Sequence, residues 1–101
     1  MGLYKFTNEF EILVQHPKDV AFERLFSYVE KSKNLDIKSS EKFNKLFFSK
    51  SPNLFSWSVK FEVNFQVIDD NNTKLSVKST SGSIDLGKSK EIISDIVKEI
   101  Y

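Results

Sequence analysis

The chain has 101 residues, of which 40% are hydrophobic and 29% charged, with a formal net charge of +1. This is the balance of one ordinary globular domain over residues 1–101, with no general attraction to nucleic acid or anionic lipid. There is no cysteine, so disulfides, thiolate metal ligands and a cysteine nucleophile are excluded, while ten phenylalanines stand against one tryptophan and one methionine.

Tyr4, Phe6, Phe10, Ile12 and Val14 share one parity, and Lys5, Thr7, Glu9, Glu11 and Gln15 hold the other, with Leu13 the exception. Period two predicts a half-buried strand over 4–15. His16-Pro17 ends it, and the preset φ of proline suits a first helical turn. A helix is predicted over 17–32, where Ala21, Phe22, Leu25, Phe26 and Val29 form one stripe at helical spacing. Lys31 and Lys33 favour the C-terminal end of the dipole, and Asn34 is a candidate left-handed cap.

Two short strands are expected next, Leu35–Lys38 and Phe43–Ser49. Leu46, Phe47 and Phe48 are consecutive, which leaves the facing of the second open. After the Ser51-Pro52-Asn53 turn comes the strongest signal: Phe55, Trp57, Val59, Phe61, Val63, Phe65 and Val67 alternate with polar residues over 55–67. That pattern is a long strand with one wet face. Asp69-Asp70-Asn71-Asn72 reads as a hairpin loop into a paired strand over 74–78, which turns polar at Ser79. A second helix over 86–100 carries Ile92, Ile93, Ile96, Val97 and Ile100 in the same stripe, with Asp85 placed to cap it. The order is β-α-β-β-β-β-α. Short turns between strands imply an antiparallel sheet, and two striped helices on one apolar face give a two-layer α+β domain with a long C-terminal helix.

The segment Phe10-Glu11-Ile12-Leu13-Val14-Gln15-His16-Pro17-Lys18-Asp19-Val20-Ala21-Phe22, followed by a meander and a final helix, resembles the START-like (SRPBCC, helix-grip) superfamily. Leu54-Phe55-Ser56-Trp57-Ser58 and Leu86-Gly87-Lys88 are similar to stretches of small bacterial proteins of that type. The likeness is one of topology and spacing over most of the chain. It implies a reduced helix-grip sheet, and between sheet and last helix a pocket for lipids, sterols, polyketides or other apolar molecules.

Most catalytic chemistry lacks its residues. His16 is the single histidine, so a histidine-rich metal site or a Cys–His pair is excluded, and a surface or capping role is expected. The carboxylates occupy polar slots, where nothing pushes a pair of pKa values apart. Asp69-Asp70 is an adjacent pair, but the spacing of a calcium loop is missing and a solvated turn is expected. The serines lack a nucleophile elbow. Gly82-Ser83-Ile84-Asp85-Leu86-Gly87-Lys88-Ser89 matches the phosphate-loop pattern letter by letter. It has no buried parallel strand before it, however, and Asp85 would sit beside the phosphates, so a capped helix start is the better reading. Lys60, Lys74 and Lys78 lie on the wet face with Glu62 among them, without the exposed aromatics that stack on single strands.

The aromatic face carries the functional expectation. Phe22, Phe26, Trp57, Phe61, Phe65, Val77, Ile93 and Val97 should converge between sheet and helices, where they either fill a core or line a pocket for an apolar small molecule. The alternative is a closed-core interaction or structural domain, associating through a sheet edge or through Leu46-Phe47-Phe48. An enzyme is the least favoured class. No metal, cofactor, nucleic-acid partner or membrane span is expected, the chain is read as a monomer or weak homodimer, and the location as cytoplasmic.

Overall fold

The structure is a computed structural model, and it describes residues 6–50, 59–81 and 88–100. β1 (Phe6–Val14) leads into α1 (Lys18–Lys31), then β2 (Leu35–Glu41), β3 (Lys45–Lys50), β4 (Val59–Asp69), β5 (Asn72–Ser81) and α2 (Lys88–Ile100). The sheet order is β1-β5-β4-β3-β2, and every pairing among the described residues is antiparallel. The α+β architecture expected from the sequence is the one observed. The first strand returns beside the last, so α1 crosses from one edge of the sheet to the other, and both helices contribute to one core with the sheet's inner face.

The register sorts that face into rows. Val14, Thr73 and Val67 form one end; Ile12, Leu75 and Phe65 come next, then Phe10, Val77, Val63 and Leu46. Ser79, Phe61, Phe48 and Ile37 form the fourth row, and Val59, Lys50 and Leu35 the far end. Ala21, Phe22, Leu25 and Val29 of α1 and Ile93, Ile96 and Ile100 of α2 are buried against this face. The opposite face is polar: Glu11 lies 3.8 Å from Lys74, and Lys78 stands opposite both Glu9 and Glu62.

Several expectations are corrected. Phe47 faces outward while Leu46 and Phe48 face the core, and Phe48 stacks on Phe61 with ring centroids 4.8 Å apart. Phe43 is not in a strand. It is a turn residue at φ 67°, held by the Asn44 N–H donating to the Glu41 carbonyl at 2.8 Å. β2 runs to Glu41 rather than Lys38, because a bulge between Ile37 and Ser39 changes its side-chain parity without ending the ladder. β5 spans Asn72–Ser81, so the polar stretch from Ser79 is part of the ladder.

Helix α1 begins at Lys18 with Pro17 as its N-cap, and the Ala21 N–H donates to the Pro17 carbonyl at 2.9 Å. Asn34 is not a left-handed cap. The chain leaves the helix through extended Ser32, whose hydroxyl donates to the Tyr28 carbonyl at 2.7 Å. Val67 has the inward parity but is 54% exposed, since it stands beside a second bulge at the hairpin tip. The segments 51–58 and 82–87, with Phe55, Trp57, Asp85 and most of the phosphate-loop-like stretch, lie outside the described residues. Lys88 and Ser89 open α2.

Candidate functional site

The expected aromatic convergence has a geometry. Phe22 is the hub on α1: its ring centroid lies 5.3 Å from Phe65, 5.6 Å from Phe43 at 80°, and 6.0 Å from Phe26. Edge-on and offset contacts at these separations are favourable beyond simple burial. Phe61, Phe65, Val77 and Ile93 are buried in the same cluster, and Phe26 and Val97 are half-buried against it. Trp57 lies outside the described residues.

The aromatic hub occupies the part of the inner face nearest the start of α1. The far end is different. Ser79 and Lys50 are buried polar residues on the inner face, in the fourth and fifth rows. The Ser79 hydroxyl has no hydrogen-bond partner among the described residues. A buried hydroxyl without a partner is costly, so such groups call for an explanation. Thr73, the other buried polar residue at the opposite end, is satisfied: its hydroxyl donates to the His16 carbonyl at 2.8 Å. His16 thus serves the strand–helix junction through its backbone.

At the same far end a groove of about 310 Å³ opens between sheet and α2. Leu35 and Lys50 form its sheet wall, Ile92 and Asp95 its helix wall, Tyr28 comes from α1, and Ser32, Lys33 and Asn34 from the connection that follows it. Burial, with repulsion from the Asp95 and Glu99 carboxylates, raises the Tyr28 hydroxyl above the ordinary tyrosine value, partly countered by its hydrogen bond with Ser32. Tyr28 therefore offers a neutral O–H at neutral pH. A smaller groove of about 260 Å³ runs beside Phe22, Phe26, Ser40 and Lys42. Neither groove is walled by Phe61, Phe65, Val77, Ile93 or Val97, so these five meet as packing partners, while Phe22 and Phe26 also border the second groove.

Sequence reasoning missed Ser79 and Lys50. Parity could have found both: Leu46, Phe48 and Lys50 share one face of β3, and Leu75, Val77 and Ser79 one face of β5. The remaining candidates resolve locally. The Asp69 carboxylate accepts from the Asn71 N–H at 2.8 Å and from the Asn72 amide at 2.9 Å, which holds its pKa below the usual carboxylate value. The aspartate pair is therefore working turn chemistry. Among the described residues, no three histidine, cysteine or acidic side chains group as a metal site, and no helix is long and apolar enough to cross a membrane.

No protein-family model matches the chain, and no curated protein matches it. Among solved structures it is similar to the Zhui aromatase/cyclase from Streptomyces sp. R1128, at 10% identity, with 94% of this chain and 86% of that chain covered and a TM-score of 0.49.

Proposed function

We propose that the chain is a reduced START-like domain that binds a small apolar molecule carrying at least one hydrogen-bonding group, held between the far end of the sheet and α2. The observation that carries this reading is the placement of polar groups. The inner face is apolar through its middle rows, and buried Lys50 lines the groove between sheet and helix with Tyr28, while the unpartnered Ser79 hydroxyl lies in the adjoining row of the inner face, behind that wall. Leu35, Ile92 and Tyr28 give the groove an apolar and aromatic part, and Lys50, Ser32 and Asp95 set polar groups around it, a combination that suits an amphipathic small molecule. The return of β1 beside β5 and the long final helix agree with the helix-grip order that the sequence resembles.

A second reading has its own support. Phe61, Phe65, Val77 and Ile93 are each at most 6% exposed, which favours a closed core without a ligand. Ser79→Ala separates the two. Removing an unpartnered buried hydroxyl raises the stability of the ligand-free protein by up to about 1–2 kcal/mol in either case. Only under the binding reading does it also weaken retention of an apolar molecule. Purification without detergent, followed by mass spectrometry under non-denaturing conditions, should show wild-type protein with an extractable bound molecule and Ser79→Ala with less of it. Bare chain in both, even after incubation with a fatty acid, a sterol and a polycyclic phenol, supports the closed core instead.

A further inference from the structure

The two edges of the sheet are built differently. β2 forms one edge, and its ladder is broken by the bulge between Ile37 and Ser39. Asp36, Lys38 and Glu41 place charge along it, all exposed. A bulge with a lysine in it keeps an edge from pairing with another chain. β1 forms the other edge, and it pairs with β5 from Phe6 to Val14 without a bulge. It contains no proline and no lysine. Among the described residues, no backbone hydrogen bond joins β1 to any segment but β5.

We infer that β1 is a docking edge for an extended protein segment carrying basic residues at alternate positions. The charge along the edge selects that partner. Glu9 and Glu11 are exposed on the outer face of β1, where Lys78 and Lys74 of β5 meet them from one side only. Glu11 lies 3.8 Å from Lys74 and Glu9 opposite Lys78, and the open side of the edge offers them no cation among the described residues. Beside them a groove of about 490 Å³ runs across β5 to β4, where Glu62 adds a third carboxylate against Lys78. Lysine or arginine side chains on an added strand lie directly across from Glu9 and Glu11 and reach toward that groove. On the inner face, Phe10 and Ile12 are half-buried, and Leu13 is 59% exposed on the outer face. Apolar residues at the intervening positions of the partner cover Phe10 and Ile12, while Leu13 lies on the same face as the two glutamates, beside the basic positions. Backbone bonds to the edge supply affinity, and the alternate side chains supply specificity.

A second copy of this chain fits poorly. Antiparallel pairing of two β1 strands centred on residue 10 sets Glu9 against Glu11, and centring on 9 or 11 sets a glutamate against itself. Registers that separate them shorten the paired stretch, and a one-residue slip would turn Phe10 and Ile12 outward.

The test uses the full chain and a labelled peptide, acetyl-Thr-Val-Lys-Val-Lys-Val-Thr-amide, with its glutamate counterpart as control. The lysine peptide should bind, weaken with added salt, and protect the amides of residues 9–13 from hydrogen exchange; the glutamate peptide should not. Reversing both charges in Glu9→Lys/Glu11→Lys turns two attractive cross-strand pairs repulsive and should weaken binding about tenfold or more. Glu9→Gln/Glu11→Gln should fall between, and Glu23→Lys on exposed α1 should bind like wild type. Failure of the wild type to bind, equal binding of both peptides, full binding by the charge-reversed variant, or exchange protection elsewhere than β1 would overturn the proposal. So would a stable dimer that buries the β1 amides.

Discussion

Phe43 holds the most constrained backbone among the described residues. A side chain with a Cβ in the left-handed region costs about 1–2 kcal/mol, and here the edge-on contact with Phe22 and the Asn44 turn offset it. The two effects separate by substitution. Phe43→Gly and Phe43→Ala both lose the ring, but glycine alone relieves the backbone, so the glycine variant should be more stable than alanine by about 1 kcal/mol. Urea denaturation of the pair measures this, and equal midpoints would mean the turn stores no such strain. Asp69 makes a prediction in pH. Its folded pKa is lowered by the Asn71 and Asn72 donors, so its contribution is present above the ordinary carboxylate value and is lost as pH falls through its own lower one. The stability difference between wild type and Asp69→Ala should shrink along that acid arm. Tyr28 runs the other way. Its folded pKa is raised, so its contribution is present below the ordinary tyrosine value and is lost as pH rises above it. Asp95→Asn removes one of the causes and should bring the Tyr28 titration down, read as ultraviolet absorbance against Tyr28→Phe.

At the scale of elements, α2 shows what local pattern can convey. Its stripe places Ile93, Ile96 and Ile100 in the core and leaves Ile92 and Val97 half-buried. Ile96→Ala should cost about 2–5 kcal/mol by cavity formation, and Val97→Ala distinctly less. A similar loss at both positions in thermal or urea unfolding would contradict the packing. β4 was as legible, because unbroken alternation with one wet face has no helical counterpart. β2 was not. Leu35 and Ile37 alternate, the bulge at Lys38 then shifts parity, and the hydrophobic pattern stops where the hydrogen-bond ladder does not. The stretch from Phe43 to Phe48 misled for a related reason. Its β-forming residues favour a strand, while the turn at Glu41–Asn44 and the contact of Phe43 with Phe22 fix the first of them outside it.

Across the whole molecule, the order of elements and the convergence of aromatics could be read from periodicity, because both follow from which residues must leave water. The pairing of β1 with β5 could not, since nothing local in either strand names a partner that far along the chain. The candidate site divides in the same way. Phe22, Phe61 and Phe65 were visible as apolar residues, which does not distinguish core from pocket. Ser79 and Lys50 were legible only by parity, as polar residues that continue the inward faces of Leu75–Val77 and Leu46–Phe48, and the register confirms that they face inward. The most direct measurement of the ligand reading is an NMR titration of methyl-labelled isoleucine with a fatty acid, a sterol and a polycyclic phenol in turn. Binding between sheet and α2 predicts that at least one of them shifts Ile92, Ile93 and Ile96 together while exposed Ile68 at the hairpin tip stays in place. Shifts confined to Ile68, or no shift with any of the three, would contradict it.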